Sequence, residues 1–66
     1  MTRRRKTVKS VVRDLRKEYP SAVIEVLKED GWSVSRACDQ LPESEWSEYF
    51  VNEVRHYENL IVIKAS

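Results

Sequence analysis

The stretch NLIVIKAS, residues 59–66, holds four consecutive apolar residues from Leu60 to Ile63. Three of these four side chains are β-branched, a shape that fits the pleated surface of a sheet. The run predicts a short C-terminal strand, with a helix extension as the alternative at this length. No second strand is evident in the sequence, so we expect residues 59–64 to pair with a second copy in a homodimer.

The N-terminal half contains the clearest helical pattern. Thr7 can cap free backbone N–H groups at a helix start, and Pro20 disfavours helical geometry at the residue before it. Between them, apolar side chains recur at the i, i+3, i+4, i+7 spacing of one helix face: Val8, Val11, Val12 and Leu15. The sequence therefore predicts a first helix from Thr7 to about Tyr19, with much of its remaining surface basic.

Three more helices are predicted downstream. The apolar run Ala22–Leu27 predicts a second helix, ending near Gly31, the only glycine of the chain. Helical spacing predicts a third over Val34–Leu41, and a fourth from about Glu45 to Tyr57. The expected fold is therefore all-α or nearly so. It is one small helical domain over residues 7–66 that follows a flexible basic arm at residues 1–6 and ends in the short strand.

Size and composition exclude several functions. A chain of 66 residues forms one domain with a thin core and leaves little room for a water-excluding catalytic pocket, so we expect no enzymatic activity and no cofactor. Cys38 is the single cysteine and lies 18 positions from the single histidine, His56, which argues against a metal site. We expect no signal peptide, no membrane span and a cytoplasmic location, because no long apolar run occurs and an unpaired cysteine suits a reducing compartment.

The segment GWSVSRACDQL, from Gly31 to Leu41, places a small residue, Cys38, with Ala37 beside it, three positions before a large apolar one, Leu41. This pattern resembles the first helix of the helix-turn-helix in insertion-sequence transposases and small phage or plasmid regulators. With the residues that follow, the resemblance covers positions 31–48. It implies a helix-turn-helix fold and a role in transcription regulation in a phage or mobile element.

The second half of that segment fits DNA reading poorly. Pro42 stands where the family has a turn glycine, and the glutamates Glu43, Glu45 and Glu48 follow within six residues. A recognition helix presents polar or basic side chains to the major groove, and these carboxylates would be repelled by phosphates. Acids are, however, favourable at a helix N-terminus, which explains them without any function. The resemblance therefore argues for the fold more than for base recognition.

Charge is distributed unevenly along the chain. Residues 1–18 carry eight basic and two acidic side chains, and residues 19–66 carry four basic and nine acidic ones. We expect nucleic acid to bind the basic arm and first helix, with DNA as the first target and RNA as the second. The TRRRK stretch is similar to the arginine-rich peptides of phage antiterminators. The candidate contact residues are Arg3, Arg4, Arg5, Lys6, Lys9, Arg13, Arg16, Lys17 and Arg36.

Three alternatives remain beside nucleic-acid binding. The basic face could be an ordinary solvated surface that pairs with the acidic body of the same chain or of a dimer mate. It could instead contact an acidic protein partner. The protein could also be a modulator that binds a host or phage protein through an acidic and aromatic face, with tryptophan as its anchor. The residues of that face are Trp32, Glu43, Glu45, Trp46 and Glu48.

Overall fold

A computed structural model describes residues 5–66. It contains one helix, α1 (Val8–Glu18), and a four-stranded mixed sheet. The strands are β1 (Val23–Lys28), β2 (Arg36–Ala37), β3 (Val51–His56) and β4 (Leu60–Ala65), in the spatial order β2-β1-β4-β3. Two short 3₁₀ turns, Cys38–Gln40 and Glu43–Glu45, connect β2 to β3. The prediction of an all-α domain is therefore wrong.

Helix α1 begins and ends where the sequence predicts. The side chain of Thr7 accepts a hydrogen bond from the backbone N–H of Ser10 at 3.3 Å, which caps the first turn. Tyr19, the residue before Pro20, closes the other end by donating its N–H to the carbonyl of Leu15. Val8 and Val12 are fully buried, so the predicted apolar stripe is the face that packs on the sheet.

The predicted C-terminal strand is confirmed, but its pairing partners lie within the chain. β4 runs parallel to β1, from the pair Val23 and Leu60 to the pair Lys28 and Ala65. Its other edge pairs antiparallel with β3, across a tight turn at residues 57–59. Because both edges of β4 are occupied, its backbone cannot pair with a second copy. A homodimer stays a prediction, and its mode must differ from strand pairing through residues 59–64.

The predicted second helix is strand β1. Its side chains alternate between the two faces of the sheet, with Ile24, Val26 and Lys28 on the buried side. An apolar run of this length is compatible with either helix or strand, and pairing with β4 decides for the strand. Gly31 has no left-handed backbone; it lies in the turn after β1, where its N–H donates to the carbonyl of Lys28.

The predicted third and fourth helices are also absent. Residues 31–48 contain only β2 and the two 3₁₀ turns, so they form no helix-turn-helix, and that prediction is wrong. The side chain of Cys38 is buried in the core from a 3₁₀ turn, which places residues three apart on one side much as an α-helix does. β3 occupies the end of the predicted fourth helix, because its residues pair with β4.

The core lies between α1 and one face of the sheet. Its buried side chains come from the helix, from β1 and β4, from the first 3₁₀ turn and from the residue after the second: Val8, Val12, Ile24, Val26, Cys38, Trp46, Ile63 and Ala65. The alternation of burial along β1 and β4 shows that only this face is covered by α1. The architecture is thus two layers, with the outer side of α1 and the opposite side of the sheet facing outward.

Candidate nucleic-acid interface

Four cationic side chains share the outer side of α1. They are spaced at i, i+4, i+7 and i+8, which places them on one side of a helix: Lys9, Arg13, Arg16 and Lys17. All four are exposed, because the valines that alternate with them turn toward the sheet. Helical periodicity alone therefore places these four predicted contact residues on one side of α1.

A groove runs beside this basic stripe. Its volume is about 400 Å³, and it opens to solvent. The lining consists of the four cations together with Val12, Trp46 and Glu43. Val12 and Trp46 belong to the buried core, and Glu43 belongs to the second 3₁₀ turn. The groove thus combines an apolar base with a wall that carries four positive charges and one negative charge.

Two of the four cations have acidic partners. The Nζ of Lys9 lies 3.6 Å from a carboxylate oxygen of Glu43, and a guanidinium nitrogen of Arg16 lies 2.6 Å from one of Asp39. All four side chains are more than half exposed, so each pair contributes at most about 1 kcal/mol. Arg13 and Lys17 form no ion pair within residues 5–66. The acidic body of the chain therefore neutralises only half of the stripe.

Trp46 lines the groove from the core. The residue is 4% exposed, and its indole N–H is buried with no acceptor among the described residues. A buried donor without a partner costs about 1–3 kcal/mol, so this N–H lowers the stability of the core. The burial of Trp46 also means that this side chain cannot serve as the exposed anchor expected for a protein-binding face.

The rest of the predicted basic set lies elsewhere. Arg5 donates to the side-chain oxygen of Asn52 at 2.6 Å, and its guanidinium lies 5.5 Å from the ring centre of Phe50. The carbonyl of Lys6 accepts from the N–H of Val51 at 2.8 Å, so the end of the predicted arm lies along the start of β3. Arg3 and Arg4 lie outside the described residues.

Arg36 and Trp32 belong to a separate cluster around Lys28. The guanidinium of Arg36 lies 5.1 Å from the ring centre of Trp32, and the ammonium of Lys28 lies 4.7 Å from the same ring. Lys28 also lies 4.5 Å from the ring of Tyr49 and 3.4 Å from a carboxylate oxygen of Glu45. Sequence reasoning missed Lys28, although its period-two spacing from Ile24 and Val26 could have placed it on the buried side of a strand.

The acidic and aromatic set predicted for protein binding is thus divided. Glu43 lines the basic groove, Glu45 pairs with Lys28, and Trp46 is in the core. Trp32 is partly buried beneath two cations, and Glu48 is exposed. The structure therefore does not gather these five residues into one acidic surface.

The remaining chemistry of the described residues is sparse. Burial raises the pKa of the Cys38 thiol to about 11, so this sulfur is a poor nucleophile near neutral pH. Residues 5–66 contain no cluster of three or more potential metal ligands, and α1 is too short and too polar to cross a membrane. Comparison of the chain with protein families, curated proteins and solved structures finds no match.

Proposed function

We propose that this protein binds the sugar–phosphate backbone of nucleic acid through the basic stripe and groove of α1. The observation that carries the proposal is a groove lined by four cations and one carboxylate, with two of those cations free of ion pairs within residues 5–66. Arginine guanidinium groups fit phosphate oxygens in a fork, and lysine adds point charges. A cytoplasmic location, favoured by the single unpaired cysteine, is part of the proposal.

The binding mode follows from the geometry of the helix. Lys9 and Lys17 are eight residues apart, about 12 Å along the axis, which corresponds to three or four base pairs of duplex. Phosphate oxygens would contact Arg13 and Lys17 directly and would displace Glu43 and Asp39 from Lys9 and Arg16. The proposed contacts are with the backbone, which positions a protein on nucleic acid without reading its sequence. The expected role in a phage or mobile element depended on the helix-turn-helix resemblance. Because residues 31–48 form no helix-turn-helix, that role is not part of the proposal.

The test is fluorescence anisotropy with labelled single-stranded RNA, single-stranded DNA and duplex DNA at about 50 and 200 mM salt. With roughly four phosphate contacts, the affinity should fall about 50- to 150-fold across this range. The three probes distinguish RNA from DNA as the preferred target. Absence of binding to all three at the lower salt concentration would overturn the proposal and would leave protein binding as the remaining hypothesis.

A matched pair of variants separates the groove from general charge. Arg13→Gln/Lys17→Gln removes one arginine and one lysine from the stripe, and Arg55→Gln/Lys64→Gln removes the same two residue types from the sheet. Loss of two phosphate contacts should weaken binding at least tenfold. It should also reduce the slope of log affinity against log salt concentration by about 1.4–1.8. The sheet variant should bind within about threefold of wild type. Equal losses in both variants would mean that net charge, and not the groove, drives binding.

Occupancy of the groove has its own spectroscopic readout. In a Trp32→Phe background, Trp46 is the remaining tryptophan, and its indole lies at the base of the groove. Nucleic acid in the groove should change the emission of Trp46 with the same midpoint as the anisotropy. A full anisotropy response without any change in Trp46 emission would place the nucleic acid elsewhere on the protein.

A further inference from the structure

The sheet has a second surface that α1 does not cover, here called the open face. Its members alternate along the strands with the buried core residues, and the strand register brings them together: Val23, Glu25, Leu27, Ala37, Glu53, Arg55, Leu60, Val62 and Lys64. Val23 is 50% exposed. Leu27, Leu60 and Val62 are partly exposed and are not packed against the core.

The composition of the two central strands is unusual for a sheet with one side in water. Such sheets generally alternate apolar residues toward the core with polar residues toward solvent. In β4 the side opposite the core carries Leu60 and Val62, and in the adjacent β1 it carries Val23 and Leu27. The uninterrupted apolar run Leu60–Ile63 of β4 is typical of a strand that is covered on both faces.

The charges of the open face suit a second copy of the chain. It carries two acidic side chains, Glu25 and Glu53, and two basic ones, Arg55 and Lys64, so its net charge is zero. Glu53 is hydrogen-bonded to Arg55, which lowers the pKa of this carboxyl. A partner surface that carried charges of one sign would repel two of these four charged groups. A second copy related by a twofold axis can place acids opposite bases, because the same surface meets itself.

We propose that the open face binds the open face of a second copy, giving a face-to-face homodimer with a helix on each outer side. Packed sheets lie about 10 Å apart, and six-residue strands at about 4.8 Å spacing cover a patch of about 300–400 Å² in projection. Two such patches are small beside the 1,200–2,000 Å² of a stable interface. The dimer is therefore weak and depends on concentration, with a dissociation constant of about 10–100 µM.

Sedimentation velocity of the full chain from about 1 to 500 µM tests the dimer. The wild type should shift from monomer to dimer across this range. Val62→Lys puts a new charge at the centre of the patch in each copy and should raise the dissociation constant at least tenfold. Val34→Lys is the matched control, because Val34 is 62% exposed in the loop before β2, and it should dimerise like wild type. A wild type that stays monomeric at 500 µM would overturn the proposal.

Charge reversal gives a test that misfolding cannot imitate. The variant Glu25→Lys/Glu53→Lys makes the open face wholly basic, and Arg55→Glu/Lys64→Glu makes it wholly acidic. Each should remain monomeric alone, and an equimolar mixture should form heterodimers. Failure of the mixture to associate, with both variants folded by circular dichroism, would overturn the proposal. The dimer does not depend on nucleic-acid binding, since the open face and the groove lie on opposite sides of the molecule.

Discussion

Lys28 carries its ammonium group into the protein from the buried side of β1. Its side chain is 9% exposed, and the charge is held between the rings of Trp32 and Tyr49 and the carboxylate of Glu45. Burial of an ammonium group is costly unless partners of this kind surround it. The long aliphatic stem fills space beside the core, so this residue stabilises the fold both by packing and by charge.

Substitutions at Lys28 should separate packing from charge. Lys28→Met keeps most of the stem, and its free energy of unfolding should lie within about 1 kcal/mol of wild type, because Glu45 is more than half exposed and can be solvated. Lys28→Ala removes the stem and should destabilise by about 2–3 kcal/mol. Urea unfolding followed by circular dichroism measures both. Equal destabilisation by the two substitutions would show that the charge is the main contribution.

Cys38 should react with alkylating reagents only slowly in the native protein. Its pKa is raised to about 11 by burial, so at pH 8 the fraction of thiolate is about one hundredfold below that of an ordinary thiol with a pKa of 9. Iodoacetamide labelling, followed by mass spectrometry, should therefore be at least one hundredfold slower in native buffer than in about 6 M guanidinium, which unfolds the protein. Similar rates in both buffers would mean that Cys38 is exposed.

The same thiol predicts a pH dependence of stability. The raised pKa means that the folded state favours the protonated thiol. The contribution of this thiol to the free energy of unfolding is therefore complete below pH 9 and is lost as the pH rises toward 11. Between pH 8 and 11, the free energy of unfolding of the wild type should fall by about 2 kcal/mol more than that of Cys38→Ala. The variant is the control for the titration of lysine and tyrosine side chains. Parallel pH profiles for the two proteins would contradict this effect.

At the scale of the element, α1 depends on a single side-chain cap. Thr7 accepts from the N–H of Ser10, and without that bond a donor of the first turn must be satisfied by water. Thr7→Ala should lower the free energy of unfolding by about 1 kcal/mol, and Thr7→Ser, which keeps the hydroxyl, should cost less than half as much. Urea denaturation measures the difference. Equal losses in the two variants would mean that the methyl group, and not the cap, is what matters.

For the whole molecule, the parallel pair β1 and β4 unites distant parts of the chain. Val23 and Leu60 are paired across 37 positions, so closing this pair fixes most of the chain. β4 is hydrogen-bonded on both edges, whereas β2 is two residues long and α1 packs on the sheet with one side. The stability of the fold should therefore be concentrated in β4 and β1.

Hydrogen exchange should show directly that β4 and β1 are the most stable part of the fold. The amides of Ile61 and Ile63 in β4 should exchange only through global unfolding, and those of α1 and the turns should exchange sooner through local opening. Exchange followed by nuclear magnetic resonance at neutral pH gives the order of protection. Amides of α1 that outlast those of β4 would show that the helix, and not the central strand, forms the most stable unit.

The sequence determined the two elements whose signals are local. Thr7 and Pro20 flank α1 and mark its two ends, and the run Leu60–Ile63, in which three of four residues are β-branched, favours a strand wherever it pairs. It also determined that the cations of α1 share one side, because helical spacing fixes their directions. These features needed no knowledge of the rest of the chain.

Only the tertiary structure decided the remaining elements. The run Ala22–Leu27 suits a helix or a strand, and it becomes β1 because β4 pairs with it from far along the sequence. Ala37, Cys38 and Leu41 fit a helical pattern, yet they lie on a short strand, a 3₁₀ turn and the residue after that turn. The groove likewise arises only when Trp46 and Glu43 are brought beside α1. Strand pairing and groove walls depend on contacts between distant residues, and local periodicity carries no information about such contacts.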